Sequence, residues 1–284
     1  MIRSAVFAAL VMGWTAAALA TDWPEWRGPN RAVLWEVKGL VGSFEGMPDP
    51  LPRVWTATVG AGYSGPTVAG EGVYLLDRGL PGDAEQVEHI VCVDRATGKE
   101  KWVHRYVCEY RDVGYDFGPR SSVTIQDGKA FALGMMGHLH CLDAERGEVI
   151  WAKELSQHYK IDMPAWGLTS SPLVEEGVVI VQAAAPEDGA CVIGLDVANG
   201  NELWRAFPDK ASHVSPILIE QAGKRVVVVW TGMRIAGMNA VTGNVYWEVP
   251  TRPNKMPINV PGPALSEDGK LMFLSVFYDG SRLI

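Results

Sequence analysis

The chain has 284 residues, 48% hydrophobic and 20% charged, which is too apolar for a disordered polypeptide and enough to bury a sizeable core. Its 25 Lys and Arg against 33 Asp and Glu leave a net charge of −8, which argues against a general binder of nucleic acid or anionic membranes, because neither polyanion would be attracted. With 31 glycines, 11 tryptophans and no long helical periodicity, the composition points to many tight turns between packed strands.

Residues 1–20, MIRSAVFAALVMGWTAAALA, read as a signal peptide: Arg3 supplies the positive start, Ala5 to Leu19 the apolar stretch, and Ala18-Leu19-Ala20 a small-x-small cleavage site. The run is short for a membrane span, which needs about 20 apolar residues with suitable flanks. Thr21 stands where a bacterial lipoprotein would have Cys. The expectation is a mature chain from Thr21 in a periplasmic or secreted location, with no membrane span after cleavage. Cys92, Cys108, Cys141 and Cys191 would then sit where disulfides are allowed. Four in a chain this long is no disulfide framework, and small core residues are the preferred reading.

From about residue 53 the chain repeats itself. Asp94-x3-Gly98-x3-Trp102 recurs as Asp143-x3-Gly147-x3-Trp151, as Asp196-x3-Gly200-x3-Trp204 and, with Asn for Asp, as Asn239-x3-Gly243-x3-Trp247. Trp55 precedes Trp102 by 47 residues, and the later steps are 49, 53 and 43. In each copy an apolar run ends at the Asp or Asn, whose side chain can accept a hydrogen bond from the backbone just ahead and start a turn. The Gly supplies the positive φ that closes a short hairpin, and the Trp on the departing strand can fill the gap between sheets. A second marker falls between these hairpins: Glu71-Gly72, Asp127-Gly128, Glu176-Gly177, Ala222-Gly223 and Asp268-Gly269 each separate two β-branched runs. Every repeat therefore holds four short strands, A to D, and four-stranded units of this period are β-propeller blades.

These Asp-x3-Gly-x3-Trp hairpins resemble the tryptophan-docking repeats of the quinoprotein-like (pyrroloquinoline-quinone-type) propeller family, over about residues 53–284. Asp22-Trp23-Pro24-Glu25-Trp26-Arg27-Gly28-Pro29-Asn30-Arg31 is similar to the N-terminal strap of an exported bacterial group with this repeat. The resemblance implies an all-β propeller, with residues 21–52 as the strap and 53–284 as the propeller. Trp55 is expected on a D-type strand ahead of the first blade. Blades are expected over about 61–106, 118–155, 167–208 and 212–250, with a fifth opening at Gly262 and stopping about where its C strand should start. Family members commonly close rings of seven or eight blades, so the chain is expected to be a truncated ring rather than a partial propeller completed by self-association.

Propeller geometry places the D-to-A and B-to-C loops on one face and the short repeated turns on the other, so binding is expected on the first. The D-to-A loops offer Tyr63, Asp116, Arg120, Trp166, His213 and Asn259, and the B-to-C loops offer His138, Asp188 and Arg234. Arg120 and Trp166 stand out as a cation and a flat aromatic beside the expected channel, suited to an anion or a planar ring. The structural alternative pairs Arg120 with a loop carboxylate and packs Trp166 between blades.

Other motifs are weaker. Gly60-Ala61-Gly62-Tyr63-Ser64-Gly65 matches G-x-G-x-x-G, but a β-run follows it where a dinucleotide site needs a helix. His138 and His140, on one strand face near Met135 and Met136, invite copper, yet no third ligand is indicated and no metal site is expected. Ser170 and Ser171 have no His–Asp partner pattern, and no catalytic residue is assigned. The quinone dehydrogenases of the fold carry a vicinal Cys-Cys pair and acidic Ca²⁺ ligands; no two cysteines here are adjacent and no such acidic cluster stands out. The resulting reading is an exported, non-catalytic scaffold or binding module for a protein, peptide or polymer, with no cofactor expected. The alternative is a pyrroloquinoline-quinone and Ca²⁺-dependent alcohol or sugar dehydrogenase, or a fragment of one, using Arg120, Trp166 and Asp116.

Overall fold

Alternating apolar runs and turn residues give nineteen strands among the described residues. The computed structural model describes residues 21–284 except 34–41, 44, 49, 50, 52, 80–85, 252, 254 and 257. The expected signal peptide, residues 1–20, and part of the expected strap lie outside the described residues. The strands form five antiparallel meanders. The first blade holds β1 (Thr67–Ala69), β2 (Gly72–Arg78), β3 (Val87–Asp94) and β4 (Glu100–Val107). The second holds β5 (Thr124–Gln126), β6 (Lys129–Leu133), β7 (His138–Asp143) and β8 (Val149–Glu154). The third holds β9 (Leu173–Glu175), β10 (Val178–Ala185), β11 (Ala190–Asp196) and β12 (Glu202–Ala206). The fourth holds β13 (Ile217–Gln221), β14 (Lys224–Trp230), β15 (Arg234–Met238) and β16 (Val245–Pro250). The fifth has three strands, β17 (Ala264–Leu265), β18 (Met272–Val276) and β19 (Gly280–Leu283). This is an all-β, incomplete propeller. Among the described residues no helix is long and apolar enough to cross a membrane.

The Asp-x3-Gly spacing builds the same turn four times. Asp94 Oδ1 accepts the Thr97 N–H at 2.8 Å, Asp143 Oδ1 that of Arg146 at 2.9 Å, Asp196 Oδ1 that of Ala198 at 2.7 Å, and Asn239 Oδ1 that of Thr242 at 2.8 Å. Asn replaces Asp without loss because only the accepting oxygen is used. The four glycines have φ of 69, 73, 71 and 71°. On each of them lies the ring of the preceding repeat's Trp, so that an added Cβ would stand 2.5 to 2.8 Å from an indole carbon. The indole N–H then donates to the carbonyl just after the next Asp or Asn: Trp55 to Arg95 at 2.9 Å, Trp102 to Ala144 at 3.1 Å, Trp151 to Val197 at 2.9 Å and Trp204 to Ala240 at 2.8 Å. Trp247 instead donates to Gln221 Oε1 at 2.7 Å, within its own blade.

Opposite each Trp on the C strand sits a small residue: Cys92, Cys141, Gly194 and Gly237. A bulge follows at the same place in all four blades. Two of the four cysteines are therefore there for size, and all four are unbridged and buried. The core lies between successive sheets rather than inside one. One cluster joins the first and second blades, a larger one the second to fourth, and a third the fourth and fifth. Because β10 faces a neighbour on both sides, all eight of its residues are buried and Val178-Val179-Ile180-Val181 is uninterrupted.

Three expectations need correction. The first A–B turn uses Gly70 and Glu71, with Ala69 paired to Gly72, because Gly70 supplies the positive φ; Gly72 is a glycine because a Cβ there would strike the Tyr74 ring. Trp55 docks as expected but lies outside any strand. The fifth blade continues into a third strand, β19, because Gly280 at φ 74° allows a tight reversal with Val276 opposite it.

These contacts predict unequal costs for equal truncations. Trp151→Ala should destabilise by about 3–5 kcal/mol, the range for a buried aromatic, and Trp247→Ala by only about 1 kcal/mol, since among the described residues its N–H bonds within its own blade. Gly147→Ala should cost more than about 1 kcal/mol through its positive φ and the Trp102 ring. Urea denaturation of the three variants checks the order.

Candidate functional site

The A–B and C–D turns share one end of the blades, with Arg95, Ala144 and Val197 N–H groups bonded to the Glu71, Gly128 and Gly177 carbonyls. The opposite end carries the long D-to-A loops, which are bonded one to the next. Tyr63 N–H donates to Pro119 O at 2.8 Å, Gly114 N–H to Ala165 O at 2.7 Å, Thr169 Oγ1 to His213 O at 3.2 Å, and His213 N–H to Asn259 O at 3.1 Å. Five loops from different blades thus form a continuous rim.

Side chains on this rim make an arc. The Arg120 guanidinium lies over the Tyr63 ring, 4.7 Å from its centre, and donates to Tyr115 O at 2.6 Å and Gly118 O at 3.4 Å. Tyr115 stands edge-on to Trp166 at 6.4 Å, and Trp166 packs against His213 at 4.8 Å. Burial, then the Arg120 charge, lowers the His213 pKa to about 4, so this imidazole is neutral at physiological pH. Tyr115, Phe117 and Tyr63 are 68, 64 and 51% exposed. Beside them a hollow of about 160 Å³ is lined by Pro164, Ala165, His213 and Met256, with the Lys210–Asp162 ion pair at 3.0 Å among its walls.

Arg120 is not paired with a carboxylate among the described residues. Besides backbone carbonyls, its Nη1 donates to the Met135 sulfur at 3.1 Å. Met135 is held in turn by its N–H on Glu88 Oε1 at 3.1 Å. Glu88 is fully buried and also accepts the Tyr106 and Tyr110 hydroxyls; burial and this carboxylate push the Tyr106 hydroxyl well above its ordinary pKa. Glu88, Tyr110, Tyr115 and Phe117 were not selected from the sequence, since no spacing distinguishes them from other strand and loop residues.

The other sequence candidates separate by their surroundings. Arg234 is saturated: Nε and Nη2 bond Asp209 at 2.7 and 2.9 Å, Nη1 bonds Glu248 at 2.8 Å, and the group covers Phe207. Asn259 is buried and donates to Thr231 O at 2.9 Å. Asp116 is exposed, and its backbone carbonyl accepts from Arg78. Asp188 accepts the Lys160 N–H at 2.6 Å. Tyr106 packs against His138 and His140 at 5.3 and 4.4 Å, and His104 lies 5.0 Å from His140. Among the described residues no group of three His, Cys, Asp or Glu side chains is placed to hold a metal ion. Ser171 proves structural: its hydroxyl accepts the Ser122 N–H, and its own N–H donates to Ser215 Oγ, each at 2.8 Å, linking three successive blades. Gly60 to Gly65 form the loop into the first blade, with the Gly60 N–H on Asp77.

A family profile described as outer membrane protein assembly factor BamB matches residues 86–259. The chain is 28% identical over 208 residues to the outer membrane protein assembly factor BamB of Burkholderia pseudomallei (strain K96243), 70% of this chain and 46% of that protein. It is 30% identical over 90 residues to that of Xanthomonas campestris pv. campestris, 31% of this chain and 21% of that protein. The chain thus spans about half the length, or less, of the curated relatives it matches. Among solved structures it resembles the quinohemoprotein alcohol dehydrogenase from Comamonas testosteroni, with TM-score 0.64 and 16% identity over 92% of this chain and 47% of that one. It also resembles BamB from Moraxella catarrhalis, with TM-score 0.54 and 15% identity over 81% of this chain and 61% of that one. At these identities the structural likeness is one of fold.

The buried imidazoles predict an acid-labile fold. Burial, then the His104 and His138 charges, lowers the His140 pKa to about 3 from an ordinary 6.5. The unfolded chain therefore takes up protons first. Stability should be level above about pH 6.5 and fall below it by up to about 1.4 kcal/mol per pH unit per histidine, toward pH 3 for His140 and pH 4 for His213. Urea midpoints from pH 7 to 4 should show this slope, and it should be shallower in His140→Phe.

Proposed function

The chain belongs to the BamB family of PQQ-like repeat β-propellers, and from that premise we propose that it is a non-catalytic scaffold of the bacterial envelope, working on the periplasmic side in outer-membrane protein assembly. Its partner is a polypeptide, recognised by the D-to-A loop rim. The observation that carries this reading is the arc itself: exposed Tyr63, Tyr115 and Phe117, half-buried Trp166, and Arg120 with no carboxylate partner among the described residues. Tyr, Trp and Arg are the residues that dominate protein interfaces, because each offers large rigid area with a polar end. An Arg left unneutralised on a chain of net charge −8 gives the rim a local preference for a partner carboxylate. Trp166 is engaged by the rim's own side chains, packing against His213 at 4.8 Å with Tyr115 edge-on at 6.4 Å. The dehydrogenase reading therefore draws support from the shared fold alone.

The test is binding of an unfolded outer-membrane β-barrel polypeptide by fluorescence anisotropy. Arg120→Ala with Tyr115→Ala should weaken it by at least about tenfold, the effect of losing two central contacts, while Asn199→Ala on the turn face leaves it unchanged. Equal affinities for all variants would remove the reading. Saturable uptake of pyrroloquinoline quinone with Ca²⁺, together with dye-linked alcohol oxidation, would replace it with the dehydrogenase.

A further inference from the structure

The inner edges of the five sheets are bridged by one short segment. β1 and β5, and β5 and β9, are neighbours, so the first strands converge, and an uncovered first strand would present unpaired backbone groups. Asp22 enters beside the β1–β2 turn, its Oδ2 accepting the Gly70 N–H at 3.1 Å. Trp23 then pairs with Val68 of β1 through two hydrogen bonds of 2.8 Å, and Pro24 O accepts the Ile125 N–H of β5 at 2.8 Å. Arg27 donates to Pro263 O, at the start of the fifth blade, at 3.0 Å.

Arg31 completes the set. Its side chain is fully buried, and every arm of the guanidinium is used. Nε bonds Glu25 at 2.7 Å; Nη1 bonds Pro216 O at 2.7 Å and Ser171 O at 3.3 Å; Nη2 bonds Pro172 O and reaches Thr124 Oγ1 at 3.5 Å. Glu25 apart, the acceptors belong to the second, third and fourth blades. A buried cation with one carboxylate is costly unless its remaining donors are satisfied, and here carbonyls at the starts of successive first strands satisfy them.

We propose that Asp22–Arg31 is an axial pin: it fills the space between the converging strands, seals the propeller axis, and leaves the loop rim as the face open to a partner. The Arg31 side chain is its anchor, because one buried guanidinium holds the strap to the second, third and fourth blades at once. Removing the guanidinium should release the segment while the Trp docking between blades persists.

The test uses the full chain carrying Thr124→Cys, a substitution at a buried axial position, with maleimide labelling and hydrogen exchange. With Arg31 intact the new thiol should label no faster than the buried native cysteines, and the Val68 and Ile125 amides should be as protected as those of Gly147 and Gly200. Adding Arg31→Met should accelerate labelling and exchange at Val68 and Ile125 by at least about tenfold and leave Gly147 and Gly200 protected. A thiol that labels rapidly with Arg31 present would overturn the proposal, as would Arg31→Met that speeds all four amides equally or none. If the double variant does not fold, the intact-Arg31 arm decides: fast exchange at Val68 and Ile125 refutes the pin, and core-level protection supports it.

Discussion

The propeller depends on one contact made four times: a tryptophan ring lying on the glycine of the next repeat while its N–H bonds the carbonyl behind that repeat's turn. The contact is both apolar and directional, so it sets the distance and the angle between neighbouring sheets. Much else follows from it. The glycine is required by the ring and by its positive φ. The residue across from the Trp must be small, which accounts for Cys92, Cys141, Gly194 and Gly237 at equivalent places. The cores form between sheets, so each blade is stabilised chiefly by its neighbours.

Such a scaffold confines variation to one end. The turn end repeats the same chemistry blade after blade, whereas the loop end carries segments of different length, bonded into a rim. On that rim two arginines have different chemistry. Arg234 is neutralised by Asp209 and Glu248 and serves the fold. Arg120 is held by carbonyls, a thioether and the Tyr63 ring, which orient it without cancelling its charge. Burial, and after it the Arg120 charge, keeps His213 neutral, so the arc offers one cation among uncharged rings. The proposed recognition of a polypeptide rests on this surface.

The axis shows the same economy of means. First strands that converge would expose backbone donors and acceptors; the Trp23–Arg31 segment covers them and adds hydrogen bonds to several blades at once. A parallel series of bonds, from Ser122 to Ser171 to Ser215, links the same strands directly. Inter-blade geometry is therefore held at three radii: by serines and Arg31 near the axis, by apolar clusters in the middle, and by tryptophans outside.

What the sequence determined alone was the part written in short range. An Asp or Asn accepting from two or three residues ahead, a Gly at the fourth position and a Trp four further on are local events, so repeat, turn chemistry and all-β propeller were legible in the spacing. The strap was visible as a motif, and Tyr63, Arg120, Trp166 and His213 could be assigned to one face because the repeat fixes which loops share an end. Tertiary structure decided what those residues touch. Whether an arginine is neutralised, which serine joins two blades, and why Arg31 is buried depend on partners far away in the chain: Pro172 is 141 residues from Arg31, and Met135 is 47 from Glu88. Such pairs have no periodicity, because they are fixed by how the blades curve around the axis and not by the local backbone.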